Sequence, residues 1–189
     1  MRPRDKSHRL FFPMIGLAVF LAGCGQSLHD VAARGDLPAV IAMLDAEPGL
    51  VDARNALEQT PLYAAVNHKQ IEVMALLVER GAEVNPSDKT GMSPLHAAAM
   101  YGRAREATWL LDHGADPTQR DAFGDTPLHT AAIHGQGQIV ALLHARGAAL
   151  DARNAAGKTA RDLAAEEGQD KVVRFIDVLR AEQAGPQQD

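Results

Sequence analysis

The sequence holds a single cysteine, Cys24, which excludes an intramolecular disulfide and any cysteine-rich zinc site. Aromatic side chains make up only 4% of the 189 residues, so stacking platforms for bases or sugars are thinly supplied. Long hydrophobic runs are missing too. The most apolar stretch, Leu10 to Leu21, has twelve residues, against the roughly 20 needed to cross a bilayer as a helix. Basic charge is scarce in the body of the chain. Arg2, Arg4, Lys6 and Arg9 open the sequence beside one acid, Asp5, and without them 15 basic side chains face 23 acidic ones (19 less 4, 24 less 1). That balance argues against a nucleic-acid groove, which needs clustered Lys and Arg to displace counterions. What the chain does have is 46% hydrophobic and 23% charged residues, enough for a domain-sized core rather than general disorder.

The first residues read as an address. A basic stretch to Arg9, the apolar Leu10 to Leu21 and then small residues follow the order of an export signal. It ends in Leu21-Ala22-Gly23-Cys24, which resembles the lipobox of bacterial lipoproteins, with the only cysteine at the position that motif requires. The resemblance implies a signal peptide over 1–23, cut before Cys24, and lipidation of Cys24, with 24–27 as a short tether. Gly25 instead of Asp after the cysteine is similar to the enteric sorting pattern for the outer membrane. The location expected from the resemblance is therefore the bacterial cell envelope, lipid-anchored at the outer membrane and facing the periplasm. Several acyl chains anchor firmly where one anchors marginally. The alternative is an ordinary secretory signal followed by an unrelated cysteine.

The remaining chain repeats itself every 33 residues. Thr60-Pro61-Leu62-Tyr63 returns as Ser93-Pro94-Leu95-His96, as Thr126-Pro127-Leu128-His129, and in register as Thr159-Ala160-Arg161-Asp162. Gly81, Gly114 and Gly147 keep the same spacing, as do Gly91, Gly124 and Gly157; Leu28-His29 opens an earlier copy at a spacing of 34. Thr60, Ser93, Thr126 and Thr159 are of N-cap type, Pro61, Pro94 and Pro127 after the first three suit the first helical position, and a short Ala-rich helix follows in each copy. A second helix carries the apolar spacing of Ile71, Val73, Met74, Leu76 and Leu77, and stops at Gly81 or its equivalents. Helices this short fall below the ~12–15 residues that persist alone in water. They must stack, so stability is close to a sum over neighbouring interfaces.

The segments TPLYAAVNHKQIEVMALLVERGAEVN at 60–85, SPLHAAAMYG at 93–102 and TPLHTAAIHGQGQIVALLHARGA at 126–148 resemble the ankyrin repeat. The resemblance implies an all-α solenoid over 28–180, a stack of about five repeats, each a helix-turn-helix with a β-hairpin loop. The terminal repeats act as caps, and 181–189 is expected as a flexible tail. Two departures stand out. Glu58 replaces a hairpin-tip glycine, so the first tip is expected to be shaped differently. Glu106 stands where Val73 and Ile139 are apolar, so the second helix of repeat three is expected to be less well buried.

Catalytic constellations are not in evidence. His29, His96 and His129 share one repeat position, which spreads them in a row instead of converging on a ligand. The ankyrin resemblance gives that histidine a structural role, bonding backbone and the Thr hydroxyl of its own turn. Glu166 and Glu167 are adjacent on a helix and point about 100° apart, so they do not flank one substrate bond. No cofactor, metal or small-molecule substrate is expected, and the protein reads as a non-enzyme.

The resemblance implies binding of a protein through hairpin tips and the first-helix surface, presented as one concave face. In that register the partner-binding candidates are Leu57, Met92, Met100, Tyr101, Arg120, Phe123, Asp125, Ile133, His134 and Arg153. Tyr101 and Phe123 are the expected anchors and Arg120 and Arg153 their polar partners, because exposed apolar clusters rimmed by charge mark contact sites. The expected function is that of a protein-binding envelope lipoprotein, as an inhibitor or immunity protein against an envelope hydrolase or toxin. The alternatives are an adaptor for another periplasmic protein, for example in stress defence, or a small-ligand binder.

Overall fold

The computed structural model describes residues 25–184. Among them are ten α-helices: α1 (Leu28–Arg34), α2 (Leu37–Ala46), α3 (Pro61–Asn67), α4 (Ile71–Glu79), α5 (Pro94–Met100), α6 (Ala104–Asp112), α7 (Pro127–Ile133), α8 (Gly137–Ala145), α9 (Ala160–Glu166) and α10 (Asp170–Ala184). A 3-10 turn at Pro48–Asp52 absorbs the extra residue between the first two repeats. The odd-numbered helices pack on one another in chain order as an inner row, and the even-numbered helices form an outer row.

Local sequence sets each start and stop. The Ser93 side chain caps α5, and the backbone N–H groups of Ser93 and Thr126 each donate to the imidazole of the histidine three residues on. In the first and last repeats a carboxylate makes that capping contact, although His29 keeps the bond to the next hairpin, its Nε2 donating to Gln59 O at 2.7 Å. Asp30 bonds back to Ser27, and Asp162 to Thr159, which holds both carboxyls below the usual Asp range. Gly81, Gly114 and Gly147 stop α4, α6 and α8 with φ of 94°, 89° and 90°, a left-handed conformation that glycine adopts without cost. The same register position in the last repeat is Arg180, and α10 runs on to Ala184, past the boundary at 180 read from the sequence. With no glycine to reverse the chain, the helix continues.

The core is a ladder of repeat-equivalent side chains. Leu62, Leu95 and Leu128 are fully buried, as are Ala65, Ala98, Ala131 and Ala164 between the inner helices. Burying each leucine contributes about 1.5–3 kcal/mol of hydrophobic free energy. Two expectations need correcting. Glu106 does not lift α6 away from the stack: it is itself only 4% exposed, and Ala107 and Leu110 beside it are fully buried. It takes the place of Val73 and Ile139, a long methylene stem filling an apolar position, and the residue borders a surface hollow with Lys69, Arg103 and Arg105. The first hairpin tip is not reshaped either. Glu58 adopts φ 59°, and its amide meets the Asn55 carbonyl at 2.9 Å, as Gly91 and Gly124 do with Asp88 and Asp121.

Candidate functional site: the inner face

Two rims border the inner helices. One is the row of hairpin tips at their N-terminal ends. Asn55, Asp88, Asp121 and Asn154 each fold a tip by accepting two backbone N–H groups onto the side-chain oxygen, for example those of Phe123 and Asp125 onto Asp121 at 2.9 Å. Successive tips are then tied together. The amides of Lys89, Ala122 and Ala155 donate to the carbonyls of Leu57, Thr90 and Phe123, each at 3.0 Å. Arg120 spans two tips, its Nη1 donating to Gly124 O at 2.7 Å and Arg153 O at 2.8 Å, and Arg54 does the same for Glu58 O and Ser87 O. On this braced edge Leu57 is 57% and Phe123 69% exposed.

The other rim follows the C-terminal ends of the inner helices. His68, Tyr101 and His134 occupy the equivalent position, capping α3, α5 and α7. The His68 and His134 rings donate through Nδ1 to Ala64 O (3.0 Å) and Thr130 O (2.9 Å). Tyr101 is 48% exposed, with the Arg103 guanidinium 5.9 Å from its ring centre, a cation–π contact. Arg103 also donates to Asn67 O at 3.3 Å, while Gln70 and Gln136 reach Ala33 O and Met100 O in the same way.

The sequence-derived candidates divide among these positions. Leu57 and Phe123 share the tip rim, while Tyr101 and His134 share the opposite one. Tyr101 thus caps the C-terminal end of α5, while Phe123 sits on the hairpin tip that precedes α7, on the opposite rim. Met92, on the tip rim, and Met100 and Ile133, the last residues of α5 and α7, are half-buried. Asp125 is drawn inside at 9% exposure, where Asn154 Nδ2 donates to it at 2.8 Å, so it is not presented at the surface. Arg120 and Arg153 are exposed, but each commits Nη1 to a tip carbonyl. Cys24 and the signal segment lie outside the described residues.

His96 and His129 are buried in the stack. Their Nε2 atoms face the carbonyls of Asp125 (3.1 Å) and Lys158 (3.2 Å) in the next repeat, so Nε2 carries the proton and Nδ1 accepts from Ser93 or Thr126. Burial pushes both pKa values below the ordinary histidine value. Among the described residues no group of three or more His, Cys, Asp or Glu could hold a metal ion, and no helix is long and apolar enough to cross a membrane.

Two residues escaped the sequence reading as site candidates. Glu58 and Lys69 alone among the described non-glycine residues have positive φ, 59° and 61°. The register contained the signal, since Gly102, Gly135 and Gly168 occupy the Lys69 position.

A family model described as "Ankyrin repeats (3 copies)" matches residues 28–121 and 109–177. Among curated proteins the chain is similar to Serine/threonine-protein kinase VIK of Arabidopsis thaliana, 41% identical over 58 residues. That segment is 31% of this chain and 13% of the kinase, so the chain spans a small fraction of that relative's length.

Proposed function

The chain belongs to the ankyrin-repeat family, and from that premise we propose that it is a non-catalytic protein-binding lipoprotein of the bacterial envelope that captures its partner on the inner face. Ankyrin repeats serve protein–protein interaction, and the observation that carries the reading is the exposure of Leu57, Phe123 and Tyr101 along two braced rims. Exposed apolar side chains on a rigid frame lose little conformational freedom on binding, which favours contact. The anchor rests on the sequence around Cys24, whose acylation would hold the stack at the outer membrane facing the periplasm. In that setting the role proposed is inhibition of an envelope-attacking hydrolase or toxin. Affinity capture from detergent-solubilised membranes, with wild type beside the Tyr101→Ala, Phe123→Ala double variant, tests the binding face. A partner retained equally by both proteins counts against it.

A further inference from the structure

We infer that a groove across the outer helices is a second interaction surface, and that its occupant is an extended acidic protein segment with an apolar residue between its carboxylates. The inference stands apart from the inner face and starts from where free positive charge lies. Most Lys and Arg side chains of the described residues are committed. Arg80, Arg146, Lys158 and Arg161 pair with carboxylates, and Arg54, Arg120, Arg153 and Arg180 donate to backbone carbonyls. Lys69, Lys89, Arg105, Lys171 and Arg174 are exposed and make no hydrogen bond or ion pair among the described residues. All of these but Lys89 border one continuous groove.

The groove is a chain of hollows that share walls. The first, of about 370 Å³, is bordered by Lys69, Arg103, Arg105 and Gln138 beside Glu106. Gln138 also borders the next, of about 420 Å³, between α8 and α10. Lys171 and Val172 carry that one into a third, with Asp170 and Arg174. Lys69, Arg103, Arg105, Lys171 and Arg174 thus face two carboxylates, Glu106 and Asp170, in a chain whose net charge is −5. The local sign is opposite to that of the molecule, so the groove draws an acidic segment that the rest of the surface repels.

Its middle is apolar and open. Ala141, Val172 and Phe175 line the larger hollow, and Gly137 stands beside them where other repeats have Ile71, Ala104 and Asp170. Glycine serves where backbone is left-handed or another chain comes close, and neither applies here. The φ of Gly137 is not positive, and an added Cβ would meet only Val172 Cγ2, at 3.9 Å. What the missing side chain does is leave room. A flat lipid surface would touch the charged rims and leave this recess empty, whereas a side chain projecting from a peptide fills it. Packed helices lie roughly 8–10 Å apart, and α6, α8 and α10 follow one another in the outer row. Arg105 on α6 and Lys171 on α10 are therefore about two helix spacings apart, a span an extended chain covers in about five or six residues at ~3.3 Å each.

The test selects a phage-displayed library of random peptides, roughly twelve residues long, on the full wild-type chain at low ionic strength. Selected peptides are expected to carry two carboxylates about five or six residues apart, with an apolar residue between them. Synthetic copies, followed by fluorescence anisotropy, should bind at least about tenfold more weakly to the Arg105→Glu, Lys171→Glu variant, and more weakly as salt is added. Gly137→Ile, which places the repeat-two residue in the recess, should weaken binding as much without lowering the melting temperature. The charge-reversed pair is exposed and touches no core contact, so it decides the matter if Gly137→Ile fails to fold. Leu57→Ala combined with Phe123→Ala, on the tip rim, should leave peptide affinity unchanged. Binders without carboxylates, a library that yields none, or peptides indifferent to the charge reversal would each overturn the inference. So would phosphatidylglycerol vesicles that bind wild type where no peptide does. Peptides lost with Leu57 and Phe123 but not with Arg105 and Lys171 would overturn it too, while leaving the inner-face reading in place.

Discussion

The Nε2 of His96 lies 3.1 Å from the carbonyl oxygen of Asp125, which is 29 residues further along the chain. That bond joins the start of one inner helix to the hairpin of the next repeat, and His129 makes the same connection to Lys158. Both imidazoles must be neutral, because Nδ1 accepts the backbone N–H of Ser93 or Thr126.

Stability should therefore fall with acidification through the histidine range. Burial depresses the folded pKa of His96 and His129 below 6.5, so below that pH the unfolded chain binds protons that the folded chain refuses. Stability is complete above about pH 6.5 and declines as pH falls toward the depressed folded values. Urea midpoints measured from pH 8 to pH 5 should drop for wild type, and more shallowly for the His96→Gln, His129→Gln variant. Parallel curves would remove these histidines as the cause.

Central repeats support an interface on each side, and the terminal repeats only one. Leu95→Ala or Leu128→Ala should each cost about 2–5 kcal/mol, the usual loss for a fully buried leucine. Arg161→Ala removes a forked pair with Asp177, at 2.5 and 2.9 Å, but the partners are about one-third to one-half exposed. Solvent screens such an exposed pair, so the loss should be far smaller than that of a buried leucine. Equal shifts in urea titrations at centre and end would contradict nearest-neighbour stacking.

Replacing Tyr101 and Phe123 together by alanine should reduce partner capture by about 2 kcal/mol or more for each true hot spot. Phe123 is largely and Tyr101 about half in solvent, so the melting temperature should move little. Calorimetry beside the capture assay separates a lost contact from a lost fold.

The proposed anchor is read through Cys24. Cys24→Ser should prevent incorporation of a fatty-acid analogue and leave the chain unprocessed or released from membranes. A mature wild-type protein that takes up no label would remove the anchor.

The repeat architecture was legible because it is written in spacing: prolines, leucines and glycines at 33-residue intervals placed the central helices α3 to α8. Side-chain commitments were harder to see. Asp125 looked available on a tip, yet Asn154 from the next hairpin draws it inside, a contact made across 29 residues. Arg120 and Arg153 looked like free cations, although part of each guanidinium braces tip carbonyls. Glu58 was misread because glycine's absence suggested a new turn, when the neighbouring tips enforce the old one at the expense of backbone strain. Glu106 was misread because polarity was taken for exposure, and a long methylene stem can fill an apolar position.

The tip ladder also fixes how this molecule can change length. The carbonyls of Leu57, Thr90 and Phe123 all meet an amide 32 residues later, and Arg54 and Arg120 each meet a carbonyl 33 residues later. Tandem duplication of residues 93–125 would add one rung and leave both ends chemically as they were. An insertion of any other length has to be looped out within its own repeat, as the 3-10 turn at Pro48–Asp52 takes up the extra residue of the first, for the tips to stay in step. The span between the two end repeats is thus graduated like a gauge, adjustable by whole divisions.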